Sequence, residues 1–234
     1  MLLRMLLSLL ACADLAGTWT GTAQVLGEGE VWTFAETDSE GAVTRLGVAV
    51  QPEALQGLPA VATEVVLPLP EDLALAPFDH VELGWLPAGH DPLGVWDEPH
   101  FDVHFFLIDA EARELIDIDD PRVVEEPPAD TVPEGYVIAP GSAVQGQGSH
   151  WFDPGSEEWS GGDFSGSLVF GSWDSTWVFM EPMITWASLE AASEMSEAVP
   201  EPERWQTEGR YPTWWGLAVT DQALEVELGG LQDD

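Results

Sequence analysis

The chain has 234 residues, 45% of them hydrophobic and 10% aromatic, which is enough apolar material for a sizeable core and too much for a disordered chain. Its formal net charge is −37, from 43 acidic residues against six arginines and no lysine. Such a surface repels phosphate backbones and anionic headgroups, making nucleic acid a poor partner. Cys12 is the only cysteine, which excludes an intrachain disulfide and a cysteine-rich metal site.

In chain order, MLLRMLLSLLACADLAG comes first: one arginine at position 4, an apolar run from Met5 to Leu10, then Leu-Leu-Ala-Cys. It resembles a bacterial lipoprotein signal. Residues 1–11 are then expected to be removed and Cys12 to carry a lipid, placing residues 12–234 in the cell envelope, anchored to the membrane through that lipid. The apolar run is too short to span a bilayer. The competing reading is a buried N-terminal helix with an ordinary cysteine.

From residue 15 to 51, the segments GTWTGTAQV, GEVWTFAET and AVTRLGVAV, with a DSEG turn at 38–41, carry the Thr, Val and Trp enrichment and glycine breaks of hairpins. PEALQGL at 52–58 fits a short helix with proline in its first turn. VELGW reads as a strand entering the central region, with His90 in the loop beyond it. Residues 120–135, with four prolines and many acids, read as a loop or a partly mobile excursion. The acids Asp117, Asp119 and Asp120 just before it lack the ligand pattern of an EF-hand loop. GYVIA, SHWFD, FSGSLVFGSW and STWVFMEPMIT read as strands, the last two as a hairpin across Trp173, Asp174 and Ser175. Residues 186–198 have a helical composition ended by prolines. YPTWWGLAV and ALEVELGGL form a closing strand pair. The fold class is mainly β, a single antiparallel barrel or sandwich with one or two short helices.

The segment EPHFDVHFFLI, 98–108, is the chemically unusual one. In an extended chain His100, Asp102, His104, Phe106 and Ile108 share one face, while Phe101, Val103, Phe105 and Leu107 share the other. One face is apolar and the other carries a His, Asp, His row.

Several segments together, GVAVQPEALQGLP (47–59), GWLPAGHDPLGVWDEPHFDVHFFLI (84–108), APGSAVQGQGSHWFDP (139–154), WVFMEPMIT (177–185) and YPT (211–213), resemble a bacterial family of extracytoplasmic proteins with a domain of unknown function. The combination of PHFD-x-HF, G-x-HW and EPM-I/V-T carries that resemblance over residues 47–231. It implies a β-rich, oligomeric protein outside the cytoplasm and names no reaction. One departure is the Gly- and Gln-rich GSAVQGQG before His150, where the family has a compact Pro-x-Met-Gly turn.

These segments collect His90, His100, Asp102, His104, His150 and Glu181, leaving only His80 of the five histidines aside. On a strand, positions 100 and 104 lie roughly 13 Å apart, too far to chelate one ion without a bulge, whereas i, i+2 neighbours lie about 6.6 Å apart. The expectation is a divalent transition metal, Zn, Mn, Fe or Ni, held by His104 or His100 with His150 and Glu181. Asp102 would be a further ligand or the acceptor of a ligand's second ring N–H, and His90 an alternate ligand or base. Two readings compete: a hydrogen-bonded His–Asp–Glu network in a structural or assembly protein, and a carbohydrate-binding module stacking sugars on exposed tryptophans among the 12 present. A metal-dependent hydrolase or oxidoreductase would need an open coordination position; no other catalytic motif is present.

Overall fold

The chain lays down one sheet, crosses to a second, and returns to complete the first. The computed structural model describes residues 15–234, so the signal-like segment and Cys12 lie outside the described residues. The first sheet begins with β1 (Gly17–Thr20), β2 (Gln24–Leu26), β3 (Gly29–Thr37) and β4 (Val43–Val50). Seven strands of the second sheet follow: β5 (Thr63–Pro68), β6 (His80–Leu86), β7 (His100–Phe106), β8 (Val137–Ile138), β9 (Ser149–Phe152), β10 (Gly166–Trp173) and β11 (Thr176–Thr185). Then β12 (Met195–Ala198), β14 (Trp214–Val219) and β15 (Leu224–Gly229) rejoin the first sheet, while β13 (Arg210–Tyr211) and β16 (Gln232–Asp233) pair with each other.

The first sheet runs β1-β3-β4-β15-β14-β12, with β2 also on β3, and the second β5-β6-β7-β11-β10-β9-β8; all pairings are antiparallel. Neither sheet closes on itself, which settles the barrel-or-sandwich expectation in favour of a sandwich-like fold. Alternation decides what faces what. Val81, Leu83, Trp85, Phe101, Val103 and Phe105 of the second sheet join Val48, Val226, Leu217 and Leu228 of the first in one continuous core. The opposite face of the second sheet carries the polar row of β7. It is covered by loops rather than by a sheet, over a smaller core of Phe106, Phe179, Val169, Ile116 and Trp96.

Three elements differ from the sequence reading. The helix expected over 186–198 is a single turn, α2 (Trp186–Glu190), because Ala192 adopts a left-handed φ of 48° and Met195–Ala198 peels off to pair with β14. Residues 52–58 give one 3-10 turn, Pro52–Leu55, with proline leading as expected. A helix that the sequence reading left out, α1 (Ala110–Glu114), is capped by the Asp109 side chain accepting from the Ala112 N–H. The acidic excursion at 120–135 holds two more 3-10 turns. It is pinned by Arg122 on Asp174 at 3.0 Å, Arg204 on Asp130 at 2.7 Å, and the Trp177 Nε1–H donating to the Thr131 carbonyl at 2.9 Å.

The β10–β11 hairpin turns through Asp174 and Ser175, both at positive φ, 50° and 59°. Left-handed backbone costs a residue with a Cβ about 1–2 kcal/mol, and glycine avoids that cost. Ser175→Gly is therefore expected to stabilise the protein by about 1 kcal/mol, seen as a melting temperature about 2–4 °C higher. Ser175 accepts from Gln206 only through its backbone carbonyl, so that contact survives the change. An unchanged or lower melting temperature would show that the turn carries no such strain.

Candidate metal centre

The second sheet builds the site by register. Glu82 of β6 pairs with His104 of β7, and the register that pairs Met180 with Phe105 and Met183 with Asp102 sets Glu181 of β11 across from His104. Between those pairs the ladder is interrupted at Glu181 and Pro182, where proline has no N–H to donate. His150 arrives from β9 opposite Gly171 of β10, whose other neighbour is Phe179. Glu82, His104, Glu181 and His150 thus share the loop-covered face. Asp102 and His100 follow along β7, and His90 comes down from the 87–99 loop.

Backbone carbonyls hold three of the four clustered histidines by Nδ1, and His104 is not among them. His90 Nδ1 lies 2.7 Å from the Asp91 carbonyl, His100 Nδ1 lies 2.7 Å from the Glu98 carbonyl, and His150 Nδ1 lies 2.9 Å from the Ser142 carbonyl. A carbonyl oxygen only accepts, so each Nδ1 carries the hydrogen, and in the neutral ring Nε2 is left as a bare lone pair. The segment GSAVQGQG supplies that Ser142 anchor. Gly148 is required where it closes, since at φ 86° a Cβ there would lie 2.2 Å from the Ser172 carbonyl oxygen.

The Nε2 atoms of all four converge on carboxylates. His104 Nε2 is 3.3 Å and His150 Nε2 is 3.9 Å from the two oxygens of Glu181. His100 Nε2 is 3.0 Å and His90 Nε2 is 3.7 Å from the two oxygens of Asp102. Each carboxylate is thus forked between two imidazoles, and within each group of three the donor atoms lie within 4.8 Å of one another. The 3.0 Å approach of His100 to Asp102 is misaligned for a hydrogen bond. His100 Nε2, Asp102 Oδ1, both ring nitrogens of His104 and Glu181 Oε2 are buried without a hydrogen-bond partner. Buried groups are nearly always satisfied, and each one left over costs about 1–3 kcal/mol.

Burial sets the charge states. It depresses the His104 imidazole to about 3 and the His150 imidazole to about 4, so both are neutral at ordinary pH. Burial, with the charges of Asp102 and Glu82 nearby, holds Glu181 well above the usual carboxylate range. For His100, burial pushes the imidazole down, but the adjoining Asp102 more than offsets it and the net shift is upward. Asp102 is pushed up by burial, and the adjoining His100 with the charges of His90 and His104 brings it below its ordinary value.

His90, Asp102, His104, His150 and Glu181 line one cavity of about 370 Å³ on the loop-covered face, and His100 lies buried behind Asp102. Sequence reasoning missed three side chains that shape it. Glu82 is 3% exposed and is bound by Arg113 of α1 and, at 3.4 Å, by Gln147 Nε2. Arg113 also stacks over the Phe106 ring at 4.3 Å and donates to the Gly146 carbonyl at 3.2 Å. Alternation in HVELGWL could have flagged Glu82, since it shares a face with the buried His80 and Gly84. Nothing local marks Arg113. His80 stands apart, stacked on Phe106 with Nδ1 2.9 Å from Asp79. The acids before the 120–135 loop serve turns: Asp120 accepts from Arg122, and Asp117 from the Asp119 N–H. Six tryptophans are buried and only Trp19 reaches 36% exposure, so the described residues show no row of exposed indoles.

Fold and site together define an antiparallel two-sheet protein with a buried histidine–carboxylate pocket. The family model described as "TTHB210-like: Hypothetical protein TTHB210", an uncharacterised family, matches residues 38–85. That match spans β4 to β6 and ends before β7, so it includes Glu82 but none of the four clustered histidines. No curated protein and no solved structure matches the chain.

Proposed function

We propose that the protein binds a divalent transition metal through His104, His150 and Glu181. One observation carries the reading: the donor atoms of His104, His150 and Glu181 converge in a buried pocket, and both ring nitrogens of His104 and Glu181 Oε2 have no hydrogen-bond partner there. A Glu181 proton given to His150 Nε2 and a His104 Nε2–H given to Glu181 would link the three, yet neither hydrogen bond is formed, and His104 Nδ1 would still have no partner. A dication satisfies both lone pairs and the carboxylate at once. Tetrahedral Zn²⁺ with ligand bonds of about 2.0–2.2 Å sets donor atoms roughly 3.3 Å apart, so three donors that lie within 4.8 Å of one another would close onto the ion. A mixed imidazole and carboxylate set suits Zn, Fe, Mn or Ni. The cavity beside these donors leaves room for a further ligand on the ion.

Metal content by mass spectrometry tests this. Stoichiometric metal in the purified protein, lost from the inner donors in His150→Ala and Glu181→Gln, is the expected result. Folded wild type that takes up no Zn²⁺, Mn²⁺, Fe²⁺ or Ni²⁺ would leave the hydrogen-bonded structural network as the better reading.

Placement in the cell envelope and oligomeric assembly belong to the same proposal, supported by the signal-like N-terminus and the resemblance over residues 47–231. Metabolic labelling with a radioactive fatty acid should mark the wild type and not Cys12→Ser. Labelling of neither would remove the lipid anchor.

A further inference from the structure

The geometry points to a second divalent cation in the same cavity, held by His90, His100 and Asp102 nearer its mouth. This rests on the reading of His104, His150 and Glu181 as an inner site and extends it. The two groups share one construction. In each a carboxylate offers one oxygen to each of two imidazole Nε2 atoms, at 3.0 and 3.7 Å for Asp102 and at 3.3 and 3.9 Å for Glu181.

In the Asp102 group both histidines have Nδ1 tied to a backbone carbonyl, the arrangement that fixes a ligating imidazole's tautomer and aim. His100 is fully buried, and its Nε2 has no hydrogen-bond partner although Asp102 Oδ1 stands 3.0 Å away. Two acceptor atoms held that close repel unless a proton or a cation lies between them. The misalignment of the pair favours a third body among the His100, His90 and Asp102 donor atoms, which lie within 4.8 Å of one another. Asp102 and His104 are two residues apart on one face of β7, about 6.6 Å, so the groups are neighbours and too far apart to ligate a single ion with all six residues.

Exposure makes the two positions unequal. The His90 side chain is 33% exposed, against 15% for His150, the most exposed of the inner three. The outer ion should therefore exchange with solvent faster than the inner one. Its donor set of two imidazoles and one carboxylate takes the same class of borderline divalent cation.

Equilibrium dialysis of the full chain against Zn²⁺, with metal counted by mass spectrometry, separates the possibilities. Circular dichroism serves as the fold control. The expected count is two per wild-type chain and one in His90→Ala and in the isosteric Asp102→Asn. His150→Ala should keep only the outer ion, and a chelator should strip the outer ion from wild type first. A count of one in wild type that His90→Ala and Asp102→Asn leave unchanged would overturn the second site and leave the inner one standing. A count of one that survives His150→Ala but not His90→Ala would overturn both the pair and the inner assignment. A count of zero would overturn everything proposed for the cavity.

Discussion

Metal-free protein is expected to lose several kcal/mol of stability between pH 6.5 and about 3, the window set by His104 and His150. Both imidazoles have an ordinary value of 6.5 and are depressed in the fold, to about 3 and about 4. Across that interval the unfolded chain binds more protons than the native one, so stability rises with pH. The contribution is fully present above 6.5 and is lost as pH falls through the folded values. The rest of the surface pushes the other way, because protonating 43 acids relieves self-repulsion. Glu181, raised by burial, also opposes: its neutral carboxyl favours folding below its ordinary value, and that advantage fades as pH rises through the folded value. The His100–Asp102 pair stabilises the fold while both are charged. Urea midpoints in chelator at pH 7, 6, 5 and 4 would read the sum. His104→Gln should flatten the acid arm most and His150→Gln somewhat less. His104→Gln and His150→Gln midpoints that follow the same pH course as wild type would show that neither imidazole is held neutral by burial. Saturating metal should steepen the acid arm, since protons and cation compete for the same lone pairs.

Alternation made much of this legible in the sequence. It placed His100, Asp102 and His104 on one face of a strand with Phe101, Val103 and Phe105 on the other, and the two cores divide along that line. Spacing also argued against positions 100 and 104 chelating one ion without a bulge. It could not show that Asp102 groups with His90 and His100 while Glu181 groups with His104 and His150, because β7, β9 and β11 meet through register, which no local pattern encodes. The strand Met195–Ala198 was hidden for a related reason: its Ala, Glu and Met composition favours helix, and pairing with Trp214–Leu217 overrides that preference. Glu82 and Arg113 stayed out of sight because an ion pair between residues 31 apart leaves no trace in either neighbourhood.

That ion pair gives the largest expected effect of a single substitution. Glu82 sits at 3% exposure beside the histidines, and Arg113, 17% exposed at its side chain, is the cation bound to it. Desolvation makes such a pair nearly neutral as a whole, yet removing one partner strands the other charge. Arg113→Ala should therefore cost about 3–5 kcal/mol, which for a domain of this size means a melting temperature lower by about 6–20 °C. It also removes the cover over Phe106 and the tie to the Gly146 carbonyl, which helps hold the turn leading to His150. Metal affinity should fall along with stability for that reason. The double change Arg113→Met with Glu82→Leu separates the two effects. Removing both charges while keeping apolar bulk should recover most of the stability, and any metal defect that persists then belongs to the displaced 146–150 turn. If Arg113→Ala alone costs less than about 1 kcal/mol, the Glu82 carboxylate is hydrated from the cavity, and the pair is an ordinary surface contact.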